Sequence, residues 1–440
     1  MLTFATLTLT ANLDALLDQA DVTRGSSYGV VVQDADGHII YDRNGGTRLV
    51  PASNQKIFAT LYALYSLGTD TVPWTHIWSE PDAIYVSTNG NPLVKQSDLR
   101  AIAARPGWNK NRPVIISQAY APGYPASWEY DDLPNRYAAP VYALTVDNGG
   151  FELWSEKGKL APVPKEFGLS VKHHWTKDKA KVYYDPMRRM LTVVGSLPQE
   201  RTMQDTLSIP RPDEAAARFL GSEARHGSQL PNRAPDITLT SPAATMELVK
   251  KCLQPSDNQL AEQLLLMAAH RQGPLDKNSP YPEARERLES FARLVVGLGD
   301  ETFRPMDGSG LSRHNWVTAA ATARALGWAS RQPWAEKYRA AMAAPGTGTL
   351  RSRLAGSTFQ GKTGTLSGVV GLSGYLRTAD GQDLIVSIII NNSVQSSAKV
   401  RELADQIVRT VENAGSTGTA LVYSEGTDGN SGALAQVLSH

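Results

Sequence analysis

Apolar residues recur at two different periods along the chain and predict both helices and strands. Ile57, Leu61 and Leu64 are three to four positions apart and Gly68 follows them, which predicts a buried amphipathic helix that ends at the glycine. The run Leu384–Ile390 is almost wholly apolar instead, as is typical of a central strand covered on both faces. The chain therefore combines helices with at least one deeply buried sheet.

Two pairs of predicted strands are joined by short turns at opposite ends of the chain. Tyr28–Gln33 and His38–Asp42 flank one Asp-Gly turn, and Val369–Arg377 and Leu384–Ile390 flank another. A closing helix is predicted over Ala398–Val411. This order of elements predicts a mixed α/β (α+β) fold in which the Ile57 helix follows the first hairpin.

The middle of the chain has a different pattern. From about 79 to 210, short β-like runs broken by Pro, Gly and Asn replace helical periodicity, and the helical pattern returns only at Pro212. We therefore predict a discontinuous main domain at 12–78 and 211–425, interrupted by one or more β-rich inserted domains at 79–210. The last residues, 426–440, are predicted to be a flexible tail.

Composition and charge exclude several classes of protein. The 440 residues include 44 basic and 43 acidic side chains, a net charge of +1, which gives no basic field for nucleic acid. Cys252 is the single cysteine, so neither an internal disulfide nor a multi-cysteine zinc site is possible. No apolar run is long enough to predict an integral membrane segment. The segment Met1–Ala11 lacks a basic start and is at best the remnant of a secretory signal.

Three short polar motifs stand far apart in the sequence. Ser53 and Lys56 form S-x-x-K at the start of the Ile57 helix, where their spacing places both side chains on one face. Ser256-Asp257-Asn258 follows about two hundred residues later, and Lys362-Thr363-Gly364 about a hundred residues after that. Taken singly, the first serine could be a helix cap and its lysine a solvated charge. In this order the trio marks penicillin-binding proteins and class A β-lactamases.

The trio contains the groups that acyl transfer by a serine requires. We interpret Ser53 as the nucleophile and Lys56 as the base. A free lysine is protonated at neutral pH, so Lys56 is expected to be buried and to have a positive neighbour, Lys362, that lowers its pKa. Ser256 would relay the proton to the leaving nitrogen, and Asn258 would hold Lys56 and the substrate amide.

Residues around the third motif are expected to bind the substrate. The backbone N–H groups of Ser53 and Thr365 would form the oxyanion hole. Lys362, Thr363 and Thr365, with Gly364 between the two threonines, would receive the terminal carboxylate of the substrate. The scheme uses no metal and no cofactor.

A different motif overlaps the third of these. Gly356–Thr363 fits G-x-x-x-x-G-K-[ST], the phosphate-binding loop. That loop lies between a strand and a helix, whereas Gly364–Gly371 is a poor helix former and no convincing strand precedes Gly356. The pattern therefore disfavours a nucleotide site.

Beyond the trio, further segments resemble the class C low-molecular-mass penicillin-binding proteins, a family of D-alanyl-D-alanine carboxypeptidases and endopeptidases. The segments are Pro51–Lys56, Leu260–Leu265, Asp307–Arg313 and Lys362–Leu366, and the resemblance extends from about residue 13 to residue 411. It implies a serine penicillin-recognising transpeptidase-like domain, with an antiparallel sheet flanked by helices and a large β-rich insert. The main domain at 12–78 and 211–425 is then the catalytic domain.

The resemblance also implies the function and its partners. The family cleaves the terminal D-Ala–D-Ala bond of peptidoglycan stem peptides, and often their cross-links, in the periplasm or cell wall, and β-lactam antibiotics acylate its serine, here Ser53. Asp147, Phe151 and Arg313 match positions that bind the stem peptide's diamino acid, although Asp147–Gly150 is also an ordinary turn sequence. The alternative function is a catalytically silent cell-wall-binding protein with the same fold.

Overall fold

The computed structural model describes residues 4–414, so the predicted tail at 426–440 lies outside the described residues. The helices in this range are α1 Phe4–Gln19, α2 Gln55–Leu67, α3 Gln96–Ala103, α4 Pro212–Leu220, α5 Thr245–Leu253, α6 Asn258–Arg271, α7 Tyr281–Leu294, α8 Ala319–Ser330, α9 Ala335–Ala341 and α10 Ser397–Glu412. None of these helices is long and apolar enough to cross a membrane.

The strands in the same range form five sheets. They are β1 Ser27–Asp34, β2 Ile39–Arg43, β3 Arg48–Leu49, β4 Trp74–Ser79, β5 Ile84–Thr88, β6 Val114–Gln118, β7 Gly150–Glu156, β8 Lys159–Leu160, β9 Ser170–Lys179, β10 Lys181–Asp185, β11 Met190–Ser196, β12 Thr202–Ser208, β13 Ala224–His226, β14 Ile237–Thr240, β15 Phe303–Arg304, β16 Trp316–Thr318, β17 Gln360–Leu366, β18 Val369–Arg377 and β19 Asp383–Asn391.

The main sheet is antiparallel and has the strand order β17–β18–β19–β1–β2. Both predicted hairpins are present, and β1 pairs with β19 so that Val30 lies opposite Ile388. The side chains of β19 alternate between two cores: Ile385 and Ile389 face one, and Val386 and Ile388 face the other. This confirms the predicted central strand that is covered on both faces.

Helices cover the two faces of the main sheet. On one face α1 and α10 contribute Leu13, Leu17 and Leu403 to a shared core. On the other face α2 lies among α5, α6, α7 and α8 in a second core. Every residue from Gln55 to Leu64 is buried, so this part of α2 is enclosed on all sides. A polar side chain near the start of α2 therefore has no route to bulk water along its own helix.

The inserted region has its own core and three sheets. One sheet has the order β13–β6–β5–β4–β14, and the others are β10–β11–β9 and β12–β7–β8. Because β14 pairs with β4, with Ile237 opposite Ile77, this sheet extends past both predicted boundaries, 79 and 210. We therefore propose that the inserted unit runs from β4 to β14. The sequence pattern did not predict α3, which buries only Leu99 and Ile102.

Candidate active site

Ser53 lies in a single 3₁₀ turn, Ala52–Asn54, that leads directly into α2. Neither N-cap position here, Pro51 or Asn54, forms a side-chain cap, so the helix-cap explanation does not account for Ser53. Ala52 has a φ of 46°, a left-handed conformation that costs a non-glycine residue about 1–3 kcal/mol. The chain therefore keeps a strained backbone immediately before the serine.

Lys56 is fully buried and its Nζ has three oxygen neighbours. Nζ lies 2.9 Å from Ser53 Oγ, 2.6 Å from Asn258 Oδ1 and 2.6 Å from the Ser309 carbonyl oxygen. The Asn258 amide is oriented because its Nδ2 donates to the carbonyl of Tyr137 at 2.8 Å. Two of the three neighbours can only accept, so a neutral amine would direct two N–H groups at them and its lone pair at the Ser53 hydroxyl.

The cause of the lowered pKa of Lys56 differs from the predicted cause, a positive charge on Lys362. Burial lowers the pKa of Lys56, whereas Cys252, Asp307 and Glu262 raise it. Burial also lowers the pKa of Lys362 far below its usual value, and the charge of Lys56 lowers it further. Burial, and not a positive neighbour, is therefore the main cause of the lowered pKa of Lys56.

The second motif lies at the start of α6. Asp257 is the N-cap residue of this helix, and its carboxylate accepts the Leu260 N–H at 2.9 Å. Ser256 precedes the cap with a φ of 66°. As a result the turn into α6 brings Ser256 and Asn258 to the cavity that contains Ser53.

The third motif lies in β17, against the Ser53 turn. A Cβ added at Gly364 would lie 2.9 Å from the carbonyl oxygen of Pro51 and 3.1 Å from Ser53 N, so the close approach requires glycine. Lys362 is fully buried and its Nζ donates to the Thr363 carbonyl at 2.7 Å. The Thr363 hydroxyl donates to Thr349 Oγ1 at 2.7 Å, and Thr363 does not line the Ser53 cavity.

The free edge of β17 faces away from the main sheet. Gly361 donates its N–H to Ala343 and not to β18. Strand residues alternate in the direction of their backbone groups, so the N–H and C=O groups of Thr363 and Thr365 point to the same edge as those of Gly361. The N–H of Thr365 therefore points to the edge of β17 that lies away from β18.

The structure contradicts a phosphate-binding loop at Gly356–Thr363. Lys362 lies inside β17, which continues to Leu366 and turns into β18, whereas the loop requires a helix after the lysine.

In the described part of the chain, metal-ligand spacing occurs in Asp34, Asp36 and His38, whose ligand atoms lie within 4.8 Å of one another. This group belongs to the β1–β2 turn and does not line the Ser53 cavity.

The cavity beside Ser53 has a volume of about 520 Å³. Its lining comes from the turn before α2, the inserted unit, the turn before α6, the loop 307–313, the end of β17 with the turn after it, and the start of α10. The residues are Ser53, Glu129, Asp132, Tyr137, Ser256, Asn258, Gly310, Leu311, Arg313, Thr365, Leu366, Ser367 and Ser397. Ser53, Ser256, Asn258, Arg313 and Thr365 thus line one cavity, whereas the predicted site residues Lys56 and Lys362–Gly364 do not line it.

Asp147 and Phe151 are not among these residues. They line a different cavity of about 690 Å³. The Asp147 carboxylate accepts two hydrogen bonds from Gln96, at 3.2 Å from the backbone N–H and 2.8 Å from Nε2. Asp147 and Asn148 both have positive φ in a short 3₁₀ turn, so the turn alternative describes this segment. Asp147 and Phe151 therefore line a separate cavity, and their part in substrate binding stays a prediction.

Sequence reasoning missed Glu129, Asp132 and Tyr137, which the inserted unit contributes to the cavity. Arg313 Nε donates to Glu129 Oε1 at 2.8 Å, and the Tyr137 hydroxyl donates to Asp132 Oδ1 at 2.7 Å. Trp128 Nε1 donates to the Asp307 carboxylate at 3.0 Å, which fixes this segment against the loop 307–313. The sequence feature that could have indicated these residues is a cluster of aromatic and acidic side chains around 128–137.

Comparison with known proteins agrees with this geometry. A model of the D-Ala-D-Ala carboxypeptidase 3 (S13) family matches residues 9–414. The chain belongs to this family. It is 27% identical to a D-alanyl-D-alanine carboxypeptidase of Actinomadura sp. (strain R39), in an alignment that covers 92% of this chain and 85% of the relative. It is 24% identical to the D-alanyl-D-alanine carboxypeptidase DacB of Haemophilus influenzae, over 86% of this chain and 88% of that protein.

Solved structures show the same fold. The crystal structure of penicillin-binding protein 4 (dacB) from Haemophilus influenzae superposes with a TM-score of 0.74 at 22% identity, covering 91% of this chain and 98% of the other. The predicted family, fold class and enzyme class, a serine D-Ala-D-Ala carboxypeptidase of the S13 family, are confirmed. The alternative of a catalytically silent binding protein is not favoured.

Proposed function

We propose that this S13 enzyme cleaves D-Ala–D-Ala bonds of peptidoglycan stem peptides, and of their cross-links, through an acyl-enzyme on Ser53. The observation that carries the proposal is the position of the buried Lys56 Nζ, 2.9 Å from Ser53 Oγ and bonded to two fixed acceptors. The neutral amine takes the hydroxyl proton while Oγ attacks the carbonyl of the penultimate D-Ala. Such a substrate lies in the periplasm or cell wall, which we propose as the place of action.

The remaining steps use the other two motifs. The N–H groups of Ser53 and Thr365 stabilise the oxyanion. Ser256 passes the proton to the nitrogen of the leaving D-Ala, and water then hydrolyses the acyl-enzyme. An extended stem peptide can pair with the free edge of β17 as an added strand.

Thr365, which lines the cavity, and the buried Lys362 are proposed to receive the carboxylate of the leaving D-Ala. Lys362 is buried beside Lys56, and both burial and that charge oppose its protonation. An arriving carboxylate favours the protonated form of Lys362 and so opposes the lowering of its pKa. Thr365 is exposed in the cavity and offers a hydroxyl to the same carboxylate.

The side chain of the stem peptide's diamino acid is proposed to lie between Arg313 and the acidic residues of the inserted unit. Glu129 and Asp132 offer carboxylates to an ammonium group, and Tyr137 offers an exposed ring for contact with the aliphatic part. This proposal assigns to Arg313, Glu129, Asp132 and Tyr137 the recognition that the sequence predicts for Arg313, Asp147 and Phe151.

Incubation with benzylpenicillin and mass spectrometry of the peptides test the nucleophile. We expect one covalent adduct, on Ser53, which is absent in Ser53→Ala. Ser367→Ala, which removes an exposed hydroxyl from the same cavity, should keep the adduct. A folded wild-type sample without an adduct on Ser53, or an unchanged adduct in Ser53→Ala, would contradict the proposal.

A further inference from the structure

Glu262 is a fully buried acid one turn after Asn258 on α6. Its carboxylate accepts hydrogen bonds from the backbone N–H of Gly308, at 3.0 and 3.1 Å, and from that of Ser309, at 2.8 Å. The Tyr281 hydroxyl donates to Oε2 at 3.1 Å. The Glu262 carboxylate therefore fixes the backbone of the loop 307–313 at Gly308 and Ser309.

Burying a carboxylate is costly unless its oxygens are well bonded. Burial and the neighbouring Asp307 raise the pKa of Glu262, and the Gly308 and Ser309 hydrogen bonds oppose that rise. A neutral side chain could fill the same space without the penalty. The presence of a carboxylate at position 262 is therefore best explained by the backbone groups that its hydrogen bonds hold in place.

The loop that Glu262 fixes is in direct contact with the base. Ser309 donates its N–H to Glu262 and accepts from Lys56 Nζ through its carbonyl, at 2.6 Å. Asn258, the other fixed acceptor of Lys56, lies four residues before Glu262 and so on the same face of α6. Both groups that orient Lys56 are thus anchored to a single helix face, Asn258 directly and Ser309 through Glu262.

We propose that Glu262 is a positioning residue for the base: by holding the Ser309 carbonyl against Lys56 Nζ, it directs the lone pair of the amine at Ser53. This inference rests on the proposed function, because it assigns no new reaction and requires Lys56 to be the base. Glu262 itself does not line the cavity and touches no reacting atom.

The charge of Glu262 has a second, separable effect. Lys56 is faced by Cys252 on α5, Asp257 before α6, Glu262 on α6 and Asp307 in the loop, each of which raises its pKa. The basic group that faces it is Lys362 on β17, whose own pKa is lowered by burial and by Lys56. Removing the Glu262 charge takes away part of the support for the protonated amine, so the pKa of Lys56 falls further.

Glu262→Gln tests the proposal, because glutamine keeps the shape but turns one acceptor into a donor that faces backbone N–H groups. We expect the plateau rate of Ser53 acylation by a chromogenic cephalosporin to fall on the order of ten- to a hundred-fold. The non-covalent affinity of the enzyme for the cephalosporin should change little. The acidic limb, which is the low-pH part of the profile where the acylation rate rises with pH, should move to lower pH. A structural role alone would not move this limb.

Glu166→Gln is the matched control. Glu166 is also a buried glutamate, but it pairs with Arg100 in the inserted unit, at 3.5 Å, so its variant should keep both plateau and limb. If Glu262→Gln does not fold, Glu262→Asp replaces it; this variant keeps the charge and should lower the plateau without moving the limb.

A folded Glu262→Gln with wild-type plateau and limb would overturn the inference, as would a wild-type plateau in Glu262→Asp. Failure of the proposed function looks different, since the wild-type enzyme itself would then form no adduct on Ser53.

Discussion

Lys56 is suited to act as a base because the fold denies it water and fixes its partners. Its Nζ has two acceptors at 2.6 Å and the Ser53 hydroxyl at 2.9 Å. The protonated amine would have to place a third N–H on Ser53, so only the neutral amine accepts the serine proton. Burial lowers the pKa and thereby increases the fraction of neutral amine at a given pH.

Acylation is therefore expected to rise with pH as Lys56 loses its proton, with a midpoint below the usual pKa of lysine. Lys56→Arg keeps the positive charge but cannot lose it, so acylation should fall by about 10²–10⁴-fold on the high-pH plateau and should no longer rise with the deprotonation of residue 56. Stopped-flow measurement of cephalosporin acylation across the acidic limb checks both statements. A Lys56→Arg enzyme with the wild-type profile would show that another group is the base.

Gly310 carries a separate constraint on Ser53. Its φ is 81°, and an added Cβ would lie 1.8 Å from the Ala52 carbonyl oxygen. Gly310→Ala should displace the strained Ala52–Ser53 turn, at a cost of about 1–3 kcal/mol in stability, and slow acylation. Gly346→Ala is the control, because Gly346 has a φ of 85° with nothing within 4 Å. Thermal unfolding and acylation rates of both variants separate the clash with Ala52, which only Gly310→Ala has, from the strain of a positive φ, which both variants share. Equal losses of stability and acylation rate in the two variants would contradict this account.

At the scale of elements, α6 organises the centre of the site. Its N-cap Asp257 also accepts from Asn148 Nδ2 at 2.7 Å, which ties the α6 turn to the inserted unit. The first turn presents Asn258 to Lys56, and the second presents Glu262 to the loop 307–313. A small rotation of this helix would move both acceptors of the base together.

Asp257→Ala should therefore affect both stability and rate. Loss of the cap is expected to cost about 1 kcal/mol of unfolding free energy and to loosen the turn that carries Ser256 and Asn258, so acylation should slow. Thr318→Ala removes the cap of α8, which accepts from Ala321 N–H at 3.0 Å. It should cost similar stability but leave the acylation rate unchanged. Urea unfolding and acylation kinetics distinguish the two variants, and an unaffected rate in Asp257→Ala would argue against the coupling.

Local periodicity was sufficient to predict most elements that carry the motifs. The spacing of Ser53 and Lys56 on α2, and the two hairpins, depend on neighbours within a few residues. The short α3 was missed because two buried residues, Leu99 and Ile102, define no period. The complete burial of α2 was also not predictable, since it depends on α5 to α8, which are distant in sequence.

At the scale of the whole molecule, the site depends on contacts between distant parts that no local pattern contains. The Trp128–Asp307 hydrogen bond and the Glu129–Arg313 ion pair both join the inserted unit to the loop 307–313. The resemblance to the family instead indicated Asp147 as a diamino-acid-binding residue. Asp147 lies in a turn that lines another cavity. Arg313, which the sequence predicts for the substrate site, lines the cavity beside Ser53, but its partner Glu129 was not predicted.

Glu129 is expected to set which side chain Arg313 accepts. In the free enzyme Arg313 is paired with Glu129 at 2.8 Å and bonded to the Ser367 carbonyl at 3.0 Å, so a substrate carboxylate has to compete with a carboxylate of the enzyme. The pair is partly exposed, with 34% of the Arg313 side chain and 56% of that of Glu129 accessible. Such pairs contribute only about 0.2–1 kcal/mol, which a substrate can outweigh.

Glu129→Gln should free Arg313 and remove a negative charge from the cavity. For a D-Ala-D-Ala peptide whose diamino acid side chain bears a carboxylate, kcat/KM should rise relative to one that ends in an ammonium alone, by about two- to five-fold given the strength of such pairs. Hydrolysis of the two peptides in direct competition measures this ratio. Glu301→Gln, which breaks the exposed Arg48–Glu301 pair at 3.3 Å, should leave the ratio unchanged. An unchanged ratio in Glu129→Gln would mean that Arg313 does not contact the diamino acid.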